Sequence, residues 1–381
     1  MDFSLPPPYL EELERFQSFL DLRVNPEIFN WYREGAVPRS FFHAMAEAGW
    51  YNFRADNGRL DKLSALRWAL FMERLASISP GLAVMVLAHV DLGTTALWLF
   101  GSDDLKEEYG IRAVRGETLL CLGSTESHAG SDAAGISTRA EKVDGGWLLS
   151  GTKAYVTGGM TGDYAVITAV TDAQAPRSSR LSMFLVDLGA SGVRRMKLGK
   201  QVWIPADLAQ MQLKNVFVPD GHLMGSQGHG LQQVLTVFTY SRVPISALTI
   251  GTAAGAFNKG LEHARKRELF GNKLIEFQAK QFEAADMYAQ MESARLSLWK
   301  ACWTMDSGQD FQMESSIAKY LCVKVAREVT IWAADLFGAE SVMFEHPIHK
   351  YPMDAWAASL GEGTQEVQKL VIFRELLKRF G

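Results

Sequence analysis

Apolar residues between about residues 26 and 110 recur at three- and four-residue intervals, as in Phe41, Met45 and Ala48 and again in Leu66, Leu70 and Leu75, with few β-branched runs between them. Side chains at that spacing share one face of a helix, so the stretch predicts packed helices. Between about residues 118 and 228 the period changes. LLCLGS, GWLLSGTKAYVTG, YAVITAV, LSMFLVDL and LAQMQLKNVFVP are short apolar or alternating runs separated by Gly, Asp and Pro turns. Such runs predict an antiparallel β domain, a barrel or a sandwich. Helical spacing returns from Leu231. Phe282, Ala285, Ala289, Leu296, Trp299 and Trp303 form a stripe interrupted by Glu292, and Val367, Leu370, Val371 and Leu377 extend the pattern through residues 364–380 without an internal Gly or Pro. The fold class read from this order is α+β multidomain. It has an N-terminal helical domain over residues 1–117, a central antiparallel β-barrel domain over 118–229 and a C-terminal four-helix bundle over 230–381, with no internal repeat.

Composition narrows the function classes. The 381 residues are 48% hydrophobic and 22% charged with a formal net charge of -4, which allows a large core and argues against disorder. No basic block or stripe offers an electrostatic footprint for nucleic acid. The start, MDFSLPPPYLEELERF, lacks the basic and apolar regions of a secretion signal and reads as a cytoplasmic beginning. The apolar run around residues 82–87 is interrupted by His89 and Asp91 and reads as too short for a membrane span. Cys121, Cys302 and Cys322 are widely spaced and odd in number, so they are expected to be buried thiols rather than a disulfide framework. His346 and His349 flank Pro347, a poor geometry for a helical metal face.

No GxGxxG opens a helix after a strand and no GxxxxGK[ST] occurs, so a nucleotide cofactor would have to be held in another way. Four polar clusters remain. The run STESHAGSD, from Ser124 to Asp132, follows an apolar strand and offers hydroxyls and backbone amides to a flavin edge or a phosphate; alone it also fits a polar hairpin. In KAYVTGG, Tyr155 and Thr157 alternate onto one strand face, placing an aromatic plane beside a hydroxyl; alone this also fits a half-buried sheet face. Arg267, Phe270 and Gln278 stand at the break between two long helices, where the guanidinium is placed to neutralise a pyrophosphate or simply to end a solvated helix. Glu362 lies between Gly361 and Gly363 and just before Thr364. Flanking glycines permit unusual backbone angles and close approach by a ligand, although a plain helix cap fits too.

Taken together and in this order, TESHAGSDAAG, GTKAYVTGG, KRELFG followed by Gln278, and GEGTQEVQ resemble the acyl-CoA dehydrogenase family over nearly the whole chain, the MDF start included. The resemblance implies a homotetramer of FAD-binding subunits that oxidise an acyl-CoA and pass electrons to an electron-transferring flavoprotein. It implies that Thr125, Tyr155 and Thr157 meet the isoalloxazine, that Thr364 bonds to the cofactor, and that Ser131 lies near the CoA portion of the substrate, beside the FAD-binding loop. Arg267, Phe270 and Gln278 would approach the FAD of a partner subunit, and Arg242 and Gly361 would border the substrate.

Glu362 matches the family's usual catalytic base. Some relatives carry the base just before the arginine of the first C-terminal helix; that position is Ser241 here, before Arg242, and a serine does not serve. Several positions depart from the family pattern. Tyr155 replaces a tryptophan, Ser127 and His128 replace a proline and a glycine, Asp335 and Ala339 stand where a glutamine and a glycine are common, and KLGKQVWIPAD lacks the usual Arg and Ser. Gly361 replaces a frequent tyrosine, leaving room for a bulky or cyclic acyl group. Asp91 lies on an otherwise apolar helix of the kind that lines the acyl pocket. Relatives acting on alicyclic thioesters use an aspartate there to take a proton from a ring carbon, whereas a helix cap or salt bridge is the plain alternative. The expected reaction is α,β-dehydrogenation with Glu362 as base. The alternatives are an alicyclic acyl-CoA dehydrogenase using Asp91, a flavin monooxygenase of the same fold, and a non-catalytic scaffold.

Overall fold

Hydroxyl and proline chemistry sets the first core helices. Ser64 Oγ accepts from the Arg67 amide to start Ala65–Ile78, and Ser79 Oγ accepts from the Leu82 amide to start Pro80–Leu87, whose first turn holds Pro80 where no amide hydrogen is needed. The computed structural model describes residues 4–56, 59–343 and 347–380; His346 and the MDF start lie outside them. Every residue of Pro80–Leu87 is buried. The helix does not stop at His89 and Asp91 but widens into a π-helical turn, Ala88–Thr94, and continues as Thr95–Phe100. Gly93 permits this path, because a Cβ there would lie 2.5 Å from Leu120 Cβ. The 21-residue helix Pro80–Phe100 and the 37-residue helix Gly230–Lys266 are therefore long and apolar enough to cross a bilayer, contrary to the short-run expectation. Their apolar windows are 83% and 72% buried within the protein, which accounts for that composition as core.

A small antiparallel hairpin, β1 (Phe53–Asp56) and β2 (Arg59–Lys62), interrupts the N-terminal helices. Four-residue strands are too short to stand out against the surrounding helical period. The central domain contains β3 (Leu120–Gly123), β4 (Arg139–Val143), β5 (Gly146–Thr157), β6 (Tyr164–Val170), β7 (Leu181–Asp187), β8 (Val193–Lys197), β9 (Leu208–Pro219) and β10 (Leu223–Met224). They form one sheet in the order β10-β7-β6-β4-β5-β9-β8, with β3 added beside β6. The expected closed antiparallel barrel is not what forms. β3 runs parallel to β6, β4 meets β6 in parallel through Arg139 and Val170, and the path ends at β10 and β8 without closing. β8 carries Arg194, Arg195 and Lys197, a charged edge of the kind that discourages further pairing. The inner face is filled by Trp147, Phe184, Val186, Met211 and Val216.

The C-terminal part contains four long helices, Gly230–Lys266, Gln278–Asp306, Gln312–Phe337 and Gln365–Phe380, with the short helix Lys350–Ala357 between the last two. Gly251 and Gly255 bring the first of these against the backbone of Ala65–Ile78, since a Cβ on either would lie 2.2 Å from Glu73 O or 2.1 Å from Ser77 O. The stripe read as core on Gln278–Asp306 does not face inward. Phe282, Leu296 and Trp303 are exposed, while Met291, Ala294, Leu298, Ala301 and Cys302 are buried. Phe282, Leu296 and Trp303 follow a seven-residue interval, the period of a seam between helices, and the single chain leaves that seam uncovered.

Gly255→Val should destabilise the protein by at least the about 1–3 kcal/mol typical of overpacking, because the neighbour is backbone and cannot rotate away. A denaturant titration followed by tryptophan fluorescence measures this; an unchanged midpoint would contradict the close approach.

Candidate active site

Glu362 sits on the turn that joins Lys350–Ala357 to Gln365–Phe380, with φ of 51° at Glu362 and 90° at Gly363. A left-handed conformation at a non-glycine residue costs about 1–2 kcal/mol, so the turn needs external restraint. Lys319 supplies it. Its side chain is fully buried, and its ammonium donates to the carbonyls of Gly361 and Gly363 on either side of Glu362. The Gln368 amide donates to the Glu362 carbonyl at 3.1 Å and the Gly363 carbonyl at 2.9 Å. Thr364 Oγ1 accepts from the Val367 amide at 3.4 Å and so caps the following helix. A Cβ at Gly361 would meet nothing within 4 Å, so open space lies beside the carboxylate.

Burial raises the Glu362 carboxyl above the ordinary range, opposed by the positive charges of Lys319 and Arg242. Arg242 is itself buried on Gly230–Lys266, where Nη1 donates to Ser316 Oγ at 3.2 Å and Nε has no hydrogen-bond partner among the described residues. Pro244 lies within this helix and cannot donate to the Tyr240 carbonyl one turn back. Ser241 Oγ donates to the Phe238 carbonyl at 3.2 Å, a helix contact with no proton-accepting capacity of use to a substrate.

Asp91 lies in the π-helical turn and is 2% exposed. Such turns recur at functional sites because the extra residue re-aims side chains. The Trp68 indole N–H is shared between its two oxygens at 2.9 and 3.0 Å. Burial pushes the carboxyl up to about 7; the Lys62 ammonium and the indole bond oppose the shift, and the negative charge of Glu362 adds to it. The two carboxylates are therefore electrostatic neighbours, although they are separated by more than 270 positions in the sequence. Neither a helix cap nor a direct salt bridge describes Asp91.

The cluster after β3 is braced from beneath. Glu126 is 3% exposed and receives Lys153 Nζ at 2.8 Å, Thr138 Oγ1 at 2.6 Å and Ser137 Oγ at 2.7 Å. Burial alone would raise this carboxyl, but Lys153 and the hydroxyl donors bring it down to about 2. The Thr125 carbonyl accepts from the Ala154 amide at 2.8 Å, which fixes the loop beside Tyr155. A register shift in β5 between Lys153 and Val156 turns Tyr155 out, with φ of 56° and the side chain 62% exposed. Thr157 is half-buried next along the strand, and Ser131 is exposed on the loop. The structure thus brings the Thr125 segment beside Tyr155, with Thr157 two residues farther along β5.

Other sequence candidates lie apart. Arg267, Phe270 and Gln278 are exposed around a two-residue hairpin, with Phe270 88% exposed. At about 1.5 Å per residue, Arg267 is about 37 Å along the helix axis from Arg242. Thr364 and Asp335 line a cleft of about 1060 Å³ on the outer side of the turn, and Ala339 is exposed. The divergent KLGKQVWIPAD stretch is tied to the C-terminal helices, where Asp354 Oδ1 accepts the Trp203 amide at 2.5 Å. Lys62, Trp68, Lys319 and Gln368 escape sequence reading. Only Lys319 leaves a trace, a charge on the helix face shared by Cys322 and Ala326.

Residues 11–117, 121–216 and 228–377 match, in turn, the profiles described as acyl-CoA dehydrogenase N-terminal, middle and C-terminal domains. The chain is 28% identical over 385 residues to the caffeyl-CoA reductase-Etf complex subunit CarC of Acetobacterium woodii, with 100% of each chain covered. In structure it is similar to butyryl-CoA dehydrogenase from Megasphaera elsdenii, with a TM-score of 0.93, 28% identity, and 99% of this chain and 100% of that one covered. It is equally similar to PigA solved with FAD and proline, with a TM-score of 0.93, 26% identity and 100% of both chains covered.

Lys319→Met should loosen the turn, because the Gly361 carbonyl loses its donor while that of Gly363 keeps Gln368, and a carbonyl left without a donor away from water costs about 1–3 kcal/mol. Faster hydrogen exchange at residues 361–364 and a lower denaturation midpoint are expected. Unchanged exchange would show that the clamp is not required.

Proposed function

This chain belongs to the acyl-CoA dehydrogenase family, and we propose that it oxidises an acyl-CoA to the enoyl-CoA with Glu362 as the base and FAD as the hydride acceptor. The observation that carries the reading is Glu362 itself, a half-buried carboxylate raised by burial on a clamped left-handed turn, with open space at Gly361. The α-proton of a thioester is weakly acidic, and a carboxylate stripped of water is a stronger base than one in solvent. Its oxygen takes the proton from Cα, and the freed electron pair becomes the new double bond as the hydride leaves Cβ. FAD, when bound, supplies the acceptor for that hydride at flavin N5. The positive charges of Lys319 and Arg242 favour the ionised form of Glu362 against the effect of burial.

The protein surface fits the cofactor. Tyr155 presents an aromatic ring outward beside the Thr125 segment, with Thr157 two residues on, a set suited to a planar heterocycle, and Thr364 lies just after the Glu362 turn. Arg267 ends its helix about 37 Å along the axis from Arg242, with Phe270 and Gln278 beyond it, which favours contact with the FAD of a neighbouring copy in a homotetramer. The uncovered seam of Phe282, Leu296 and Trp303 supports assembly through this region. An electron-transferring flavoprotein is the proposed electron acceptor, in keeping with the relative named as part of an Etf complex. Ser131 is proposed to meet the CoA portion.

A second reading is favoured by Asp91. A buried, ionisable carboxylate that senses Glu362 gives the site an alternative proton acceptor, which suits an alicyclic acyl-CoA whose ring carbon gives its one proton to Asp91 as the hydride leaves to FAD. Glu362, the residue that flavin monooxygenases of this fold usually lack, weighs against oxygen chemistry.

Glu362→Gln should slow anaerobic flavin reduction by about 10²–10⁴-fold for every substrate that works. Asp91→Asn should do so only for ring substrates; no loss with Glu362→Gln would remove the proposed base. Because the raised Glu362 carboxyl acts ionised, the wild-type rate should fall as pH drops through a value above the usual carboxylate range, as measured by stopped-flow. Trp303→Glu should lower both the native mass and the retained flavin, read by light scattering and absorbance; a flavin-loaded monomer would refute the shared-cofactor arrangement.

A further inference from the structure

Lys62 ends β2 opposite Phe53, and its ammonium lies over three aromatic rings: Phe53 at 5.1 Å, Trp98 at 5.7 Å and Tyr240 at 5.2 Å from the centroids. These rings pack on one another, with Phe53 and Trp98 at 6.0 Å and Trp98 and Tyr240 at 5.9 Å. The cage draws on the N-terminal hairpin, the end of the π-bulged helix and the first long C-terminal helix. Among the described residues the ammonium makes no hydrogen bond and no ion pair, although its charge acts on Asp91 and Asp306. Asp306 is already committed, with the Ala65 and Leu66 amides and Ser64 Oγ bonded to its carboxylate at the start of Ala65–Ile78. Asp91 has only the shared Trp68 N–H. An apolar side chain would fill an aromatic cage without the cost of desolvating a charge, so the charge itself needs a reason.

We infer that Lys62 is a positioning residue for Asp91: held on the aromatic rings rather than bonded to the carboxylate, it supplies the counter-charge that lets Asp91 meet the acyl group with its remaining lone pairs free. This inference rests on the reading of Asp91 as a proton acceptor for an alicyclic acyl-CoA. The Glu126–Lys153 pair shows the alternative arrangement. There the ammonium bonds directly at 2.8 Å, and the carboxylate is brought to about 2, too weak a base to take a carbon-bound proton. Asp91, with its cation at a remove, remains at about 7. The groups facing Asp91 are Trp68 from Ala65–Ile78, Lys62 from β2 and Glu362 from the C-terminal turn, with Arg242 and Lys319 behind Glu362. His89 on the same π-turn adds no charge at neutral pH. Burial holds its imidazole down to about 4, and its ring nitrogens engage the Ala113 carbonyl and the Leu120 amide.

The test follows anaerobic flavin reduction by cyclohexanecarboxyl-CoA and cyclohexenecarboxyl-CoA against pH in the full-length holoenzyme. Lys62→Met should move the acid limb upward by about one pH unit, which is an about fivefold loss at pH 7 recovered near pH 9, and Lys62→Arg should restore the limb. A loss equal at all pH values, or no loss, would overturn the role of Lys62 while leaving Asp91 as acceptor if Asp91→Asn abolishes the same reaction. An active Asp91→Asn, or no bleaching by either ring substrate in the wild type, would remove the reading beneath the inference and the inference with it. Should Lys62→Met fail to fold, Lys62→Arg still decides. Arginine keeps its charge, so this variant should hold the acid limb at the wild-type position; an acid limb moved upward in Lys62→Arg would overturn the proposal.

Discussion

Taking carboxylates out of water is the constraint around which the site is organised. A carboxylate gains basic strength when water is excluded and loses the charge that makes it useful if nothing compensates. The protein resolves the conflict in three different ways. Glu126 receives a direct ammonium and several hydroxyl donors and serves as a brace. Glu362 is flanked by Lys319 and Arg242, whose own bonds go mainly to backbone and hydroxyl groups, so its oxygens remain unclaimed. Asp91 has its cation held away on aromatic rings. The degree of direct bonding grades one chemical group from structural anchor to proton acceptor.

Those placements depend on close helix packing. Gly251 and Gly255 let Gly230–Lys266 approach the backbone of Ala65–Ile78, which carries Trp68 and, at its start, the contacts to Asp306. Gly93 lets the π-bulged helix lie against β3, from which the Thr125 loop departs. The substrate side and the flavin side are thus set by contacts of glycine with backbone, which yield less than side-chain contacts do. Within this family frame the site's departures are local. Tyr155 is turned outward by an irregularity in β5, and Gly361 leaves space next to the base.

How much was legible in the sequence depended on whether the signal was local. The glycines around Glu362 announced an unusual turn because positive φ is a property of the residue and its neighbours. Asp91 was noticeable because a lone carboxylate in LAVMVLAHVDLG is expensive to bury. Lys62 was not, since a lysine ending a four-residue strand looks like any exposed charge until Trp98 and Tyr240 arrive from elsewhere in the chain. The stripe of Phe282, Leu296 and Trp303 showed helical period correctly but not direction, because a helix apolar on two faces carries no mark of which one its own chain will cover.

Residue order by itself determined the helix, sheet and helix succession, the turn at Glu362 and the membership in a family of flavoenzymes, because periodicity, backbone preference and motif order are written along the chain. Tertiary structure decided that the sheet stays open with a parallel strand pair, that the helix runs through Asp91 as a π-turn, and that Lys62 and Glu362 both act on that carboxylate. Electrostatic coupling depends on distance through space and on the exclusion of water, and both exist only after distant segments have packed.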